Sequence, residues 1–578
     1  MKSPRISVQH RPAWRGRQSR LIAAGASALV AGMLLAACAA GAPQTTNSPA
    51  ATNDSGQTGP VDEQPAQTVA TIALAQTLTS IDPATGIDAN AGQAANQFYE
   101  GLFRLDESGQ PIPFGAAALP EISEDGLVYT IELNRDAVWS DGTPVTAHDY
   151  VFAWRRNISH PTAAEQQRTV EFVAGANAIL FDGAPVEDLG VVALDDWTLQ
   201  VTLEAPTVFF TSLLATVPFF PQPAHFIEDI GEDMWATSAD HVLFNGPFVL
   251  VDWAGPGLGS DWAYVRNETY WNADQVQLER INVRVIADTN TAINLFNAGE
   301  VDQVAISGPQ VLALSDNEAF VANATSAVIF LGYNHNHPIL SDQRAREAIS
   351  LSINRALFVD NVLNDGSIVA GGLVPPHLAA SPAGIDFAEE FGNQLPTDLD
   401  RAAELWAQVQ DDHGFTELTL DLQTFDSDRI VVTAEYLQEA LQNALDGLTV
   451  TVQPNPVSVF IDRATSQQFD LYLPSWSAAF PDPSSHLSLF TTDAGSNWGL
   501  YSNPEFDALM HDAVVTYAAD AQARWDVLLA AQALLMQDQG VTPIFTQPST
   551  LLRNPNFRGV EFLTSGPAFF FGNAYFTQ

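Results

Sequence analysis

Between about residues 340 and 550, helix and strand signals alternate, and this limits the chain to α/β architectures more than any other feature. Ser341 or Asp342 can cap a helix running to about Leu363, with Gly366 just past its end. Asp398 can cap a second through Leu405 and Trp406, with Gly414 as its stop. Ala434, Leu437, Ala440, Leu441, Ala444 and Leu445 recur at helical spacing up to Gly447, and Leu448-Thr449-Val450-Thr451-Val452 then reads as a strand. Asn503-Pro504 opens one more helix, with proline at its first position. The stretch from about 100 to 240 is richer in strand and turn signals; Leu127–Leu133 and Thr198–Leu203 alternate as strands do.

The charge balance excludes whole classes of partner. The chain of 578 residues holds 23 basic and 68 acidic residues, and six of the basic ones precede Cys38 in a stretch without acid. The remainder carries 17 basic residues and a balance of −51, with no lysine beyond Lys2. Phosphate backbones and anionic lipid surfaces repel such a body, so nucleic acid is excluded as a partner.

Cys38 is the sole cysteine, which excludes intramolecular disulfides, thiolate zinc sites and C-x-x-C redox chemistry. A basic segment, an apolar run Leu21–Ala37 and then Leu35-Ala36-Ala37-Cys38 resemble the export signal and cleavage box of bacterial lipoproteins. That resemblance implies a diacylated Cys38 as the mature N-terminus, and two acyl chains are enough for stable anchoring. Residues from Ala39 to about Gln67, rich in Ala, Thr, Ser, Asn, Gly and Pro, then form a flexible tether with a reach of about 30 Å.

No catalytic motif is present: there is no G-x-S-x-G, no phosphate loop, no H-E-x-x-H and no EF-hand loop. The chain reads as a binding module and not an enzyme, with no cofactor and no metal. Tyr333-Asn334-His335-Asn336-His337 could set two imidazoles on one strand face but lacks further ligands at metal spacing, and a polar strand end is the alternative. The aromatic run Tyr472-Leu473-Pro474-Ser475-Trp476-Ser477-Ala478-Ala479-Phe480-Pro481-Asp482-Pro483, followed by Trp498 and Tyr501, suits either a core or an interdomain ligand cleft.

A set of ordered motifs adds a family. Ser80-Ile81-Asp82-Pro83, Tyr99-Glu100-Gly101-Leu102-Phe103, Trp139-Ser140-Asp141-Gly142-Thr143-Pro144, Asn245-Gly246-Pro247-Phe248, Tyr270-Trp271-Asn272, Gly299-Glu300-Val301-Asp302, Arg344-Ala345-Arg346-Glu347-Ala348 and Tyr501-Ser502-Asn503-Pro504 resemble those of family 5 extracellular solute-binding proteins of peptide-type ABC importers. The resemblance covers about 70–578. It implies a two-lobed, hinge-closing type II periplasmic-binding-protein-like α/β fold with an additional β-rich domain in the first lobe. Lobe I would take 68–99, 244–326 and 545–578, the additional domain 100–243 and lobe II 327–544, behind a signal peptide 1–37 and a tether 38–67. The implied function is capture of oligopeptides by a monomer at the outer face of the cytoplasmic membrane, for delivery to an ABC permease and its ATPases.

In such binders an extended peptide lies between two backbone segments, here by resemblance Ile87-Asp88-Ala89 and Ser475-Trp476-Ser477, which bond its main chain. Tyr333, Trp498 and Tyr501 complete the expected ligand-binding residues, with Ala479 and Asp482. Ala479 stands where the oligopeptide binders place a carboxylate for the peptide ammonium, and Leu473 where they place a base for the carboxylate. Two expectations follow: Asp482 or another carboxylate takes over the ammonium, or the ligand is a neutral solute such as an oligosaccharide or blocked peptide.

Overall fold

Two long strands, Phe320–Tyr333 and Val541–Arg553, pair antiparallel through the middle of a twelve-stranded sheet in the computed structural model. The structure describes residues 67–577 apart from 87–88, 107–108, 160–169, 479 and 564–568, so the signal segment, Cys38 and the tether lie outside the described residues. On one side of the long pair the sheet continues through Leu471–Leu473 and Leu418–Phe425 to Leu448–Asn455. On the other it runs through Gln303–Ala305, Val69–Leu74, Arg280–Val285 and Asp261–Arg266 to Phe248–Val251. Val328–Tyr333 are buried at every position, as a central strand covered on both faces requires.

The long pair is interrupted at its centre. Pairing runs from Phe320 opposite Leu552 to Ala324 opposite Pro548 and resumes at Val328 opposite Thr546. Three residues, Thr325, Ser326 and Ala327, therefore face Gln547 alone. Pro548 contributes here because it has no N–H to give a ladder. The buried Ser326 is pinned from outside the pair: its Oγ accepts from Ala478 N at 3.0 Å, and its carbonyl is 3.0 Å from Nε2 of the fully buried His486.

The helices of the second half follow their caps. Asp398 Oδ1 accepts from Arg401 N at 3.0 Å and starts Leu399–His413, which Gly414 ends at φ 70°; Ala402, Leu405, Trp406 and Val409 face the core. Asn503 caps Pro504–His511, and Asp428–Ala444 precedes the strand Leu448–Asn455. The helix expected from Ser341 or Asp342 to Leu363 is broken. Asp342 caps Gln343–Leu351, then Asn354 accepts from Leu357 N at 3.0 Å and starts a new segment that widens into a π-helix, Phe358–Leu363. An internal asparagine acting as a second cap divides what hydrophobic spacing joins.

Residues 100–243 hold a four-stranded antiparallel sheet, ordered Glu121–Ile122, Val128–Glu132, Thr198–Thr202, Val191–Asp195. They also hold helices that the sequence did not suggest, above all Ala147–Ser159, which buries Tyr150 and Trp154. Its Arg156 donates to both oxygens of Asp82 at 2.9 Å and lies 2.8 Å from Glu232, so the Ser80–Pro83 motif is tied to this helix.

Candidate functional site

A cleft of about 1200 Å³ opens where the long strands are interrupted. The first half of the sheet contributes Ala287–Asn290 and Ala305–Gly308 to its walls, the second half Asn361–Asp365 and Ser427–Ile430, and the strand interruption Thr325–Ala327 and Gln547–Thr550. These are the loops at the carboxyl ends of strands Arg280–Val285, Gln303–Ala305 and Leu418–Phe425, where open α/β sheets gather their ligand-binding residues. The volume exceeds the 300–1,000 Å³ usual for a compact small molecule.

Among the expected site residues, Ser477 lines this cleft. Ser475 and Trp476 form a short strand that pairs antiparallel with Ile329 and Val328. Its second edge pairs with no strand among the described residues. Trp476 and Trp498 are half-buried with ring centroids 6.2 Å apart, and Trp498 lies 6.0 Å from Tyr472. Ile87, Asp88 and Ala479 lie outside the described residues, and Ala89 begins the helix Ala89–Phe98.

Other expected residues are engaged elsewhere. Tyr333 is buried at the far end of its strand, hydroxyl 2.5 Å from Thr542 Oγ1. The Tyr501 hydroxyl donates to Asp538 at 2.8 Å, and burial with that carboxylate raises its pKa. His335 Nε2 sits 3.0 Å from the Gly540 carbonyl, and burial lowers its pKa to about 4. His337 Nδ1 accepts from Ile339 N and Leu340 N, a local cap in the manner of the polar strand end. No group of three His, Cys, Asp or Glu side chains that could hold a metal occurs among the described residues.

Asp482, the expected ammonium partner, is engaged by the fold. Both oxygens accept from Arg524, at 2.8 Å each, and Oδ1 also accepts from Ser484 N at 2.9 Å and Ser484 Oγ. Oδ1 is thus fully used by the fold, while Oδ2 accepts from Arg524 alone. Leu473, fully buried in the sheet, has no access to the cleft either.

Two charged residues that motif reading passed over do reach the cleft. Arg429, in the first turn of Asp428–Ala444, has Nη2 2.7 Å from Asp365 Oδ2; their side chains are 16% and 2% exposed. Asp365 Oδ1 is taken by Ser367 N and Oγ, at 3.1 and 2.6 Å. The signal was available: a cation beside Ser427-Asp428 directly after a strand, in a body with only 17 basic residues.

Phe480 stacks on Phe209, with ring centroids 4.2 Å apart and planes within 9°. Phe480 follows the Ser475–Trp476 strand, whereas Phe209 belongs to the 100–243 segment.

Comparison with known proteins agrees with this architecture. Residues 110–498 match the family described as bacterial extracellular solute-binding proteins, family 5, middle region. The chain is 30% identical over 511 residues to a dipeptide-binding protein of Lactococcus lactis, covering 86% of this chain and 92% of that one. It is also 30% identical over 484 residues to a probable deoxycholate-binding periplasmic protein of Escherichia coli, covering 83% and 88%. The solved structure of Listeria monocytogenes OppA bound to peptide superposes with a TM-score of 0.75 at 33% identity, covering 89% of this chain and 99% of that one. The fold is the two-lobed, hinge-closing type II binding-protein fold that the motifs implied.

Proposed function

Because this chain belongs to the bacterial extracellular solute-binding proteins of family 5, we propose that it captures short peptides in the cleft between its lobes and delivers them to an ABC importer. Lipid on Cys38 would hold it at the outer face of the cytoplasmic membrane as a monomer, with the lobes dividing near the strand interruption at Ser326. The observation that carries the peptide reading is the unpaired edge of Ser475–Trp476 beside a cleft large enough for several residues. An extended peptide adding to that edge gains affinity from main-chain hydrogen bonds, largely independent of its side chains. The reading is also supported by the dipeptide-binding relative and the peptide-bound structural neighbour.

A non-peptide solute is the second reading, favoured by Asp482 being ion-paired with Arg524 and Leu473 being buried. Native mass spectrometry of the purified protein, before and after mild denaturation, separates the two. Co-purified masses spaced by amino-acid residues support the peptide reading. A single mass without such spacing, together with no heat released on titration with di-, tri- and tetra-alanine, rejects it.

A further inference from the structure

We propose that Ser326 is a positioning residue for main-chain recognition: its hydroxyl carries the Ser475–Trp476 strand past the point where the long pair opens, and so holds Ser477 at the cleft as an edge that an extended peptide can join. This rests on the peptide reading above and names the side chain on which that edge depends. Register carries the argument. Trp476 lies opposite Val328 and Ser475 opposite Ile329 in an antiparallel pair. One step further Ser477 comes opposite Ala327, and one more brings Ala478 opposite Ser326. Those two partners belong to the interruption Thr325–Ala327, which has left the ladder with the other long strand. The Ser326 carbonyl is engaged by His486 Nε2 at 3.0 Å, and the side chain takes the place of a ladder acceptor: Oγ accepts from Ala478 N at 3.0 Å.

Burial makes this hydroxyl hard to replace. Ser326, Ala478 and His486 are all buried, so a backbone N–H that lost its acceptor there would be left unsatisfied or would move. The carbonyls of Ser326 and Trp476 both act on the His486 imidazole, which places that ring between the interruption and the strand. The far side of the interruption is fixed as well: Thr325 Oγ1 donates to the Gln547 carbonyl and accepts from Ala327 N at 3.1 Å. Thr325, Ser326, Ala327, Ser477 and Gln547 all line the cleft. Because the Ala478 N–H is turned toward the long strand, strand alternation turns the N–H and C=O of Ser477 away from it, to the side where no strand pairs among the described residues. Ser326 therefore touches no ligand itself; it sets the line along which Ser477 presents its main chain.

The test is calorimetric titration of the detergent-solubilised full-length chain, in wild type, Ser326→Ala and Ser326→Cys, with tri-alanine and its two analogues methylated at one amide nitrogen each. Ser326→Cys keeps a side chain of similar size with only a weak acceptor, and it serves where Ser326→Ala does not fold. Wild type should bind tri-alanine at least about tenfold more tightly than one of the methylated analogues, the loss of one main-chain hydrogen bond. In the folded variant tri-alanine should bind about tenfold more weakly than in wild type, while that analogue should lose about threefold at most, because it never formed the bond. Unchanged binding of tri-alanine by the variant overturns the role of Ser326. An equal loss for tri-alanine and both analogues also overturns it, since Ser326 would then serve the fold and not the edge. Equal binding of all three peptides by wild type means that the main chain is not read, which overturns this inference and leaves peptide capture standing. Binding of none of the three by wild type overturns the peptide reading and this inference with it.

Discussion

Asp482→Ala tests whether the carboxylate beside the aromatic turn serves the fold or the ligand. In the structure it serves the fold. Asp482 and Arg524 form a bidentate pair with side chains 13% and 9% exposed, joining the turn to the helix Ala521–Gln537. Arg524 Nε is also used, donating to the Ala513 carbonyl at 3.1 Å, so the guanidinium cannot find a replacement partner by small movements. Removing one member of a buried pair leaves an uncompensated charge and costs about 3–5 kcal/mol. For a unfolding slope of a few kcal/mol per molar urea, that is a loss of about 1 M in midpoint, followed by tryptophan fluorescence. The double variant Asp482→Ala/Arg524→Ala should lose less than the two single losses added together, because no charge is left unpaired. Under folding conditions Asp482→Ala should bind tri-alanine within about threefold of wild type. A variant that unfolds at the wild-type urea concentration but loses tri-alanine binding tenfold or more would refute this, and Asp482 would be the ammonium partner.

Three further outcomes are expected. Phe480→Ala removes the ring stacked on Phe209, between the 100–243 segment and the Ser475–Leu487 turn; at about 0.5–1.5 kcal/mol beyond lost burial, liganded protein should show a larger radius of gyration by small-angle scattering and release tri-alanine several-fold faster. His486 is held neutral by burial, with a pKa of about 4 against 6.5 unfolded. The unfolded chain binds the extra proton between those values, so stability is lost as pH falls from 6.5 towards 4. In urea titrations at pH 7 and pH 5, His486→Gln should show a smaller drop than wild type, and an equal drop would remove His486 as a cause. With a body at −51, the melting temperature should rise between 0.1 and 2 M NaCl as screening relieves self-repulsion, and a flat response would contradict that reasoning.

What sequence made legible and what it hid divide along range. Asp398 and Gly414 bound their helix because a cap needs only groups three or four residues away. The family motifs were legible as words but not as contacts. Glu100, from Tyr99–Phe103, accepts from the Tyr270 hydroxyl at 2.6 Å and Trp271 Nε1 at 2.8 Å, and its backbone exchanges hydrogen bonds with Asn245. Burial pushes that carboxyl up to about 8. Three separate motifs thus meet in one buried polar network. Arg524 lies 42 residues from Asp482, and no spacing rule reaches that far. The same limit hid Arg429, whose partner Asp365 sits on a different segment of the cleft wall.

The segment from Ser475 to Leu487 explains why the cleft's chemistry moved while its frame did not. Along thirteen residues it presents Ser477 to the cleft, gives Ala478 N and His486 to Ser326 at the strand interruption, stacks Phe480 on Phe209 and ties Asp482 to Arg524. Each tie except Ser477 is buried or nearly so, and each fixes backbone that a peptide would pair with. A segment anchored at four points keeps the Ser475–Trp476 edge in register with the long strands whatever side chain occupies position 473 or 479. Arg429 stands on another wall of the cleft, at a helix start with its own ion-pair partner Asp365. The frame around Ser475–Trp476 thus rests on ties separate from the Arg429–Asp365 pair on the other wall of the cleft.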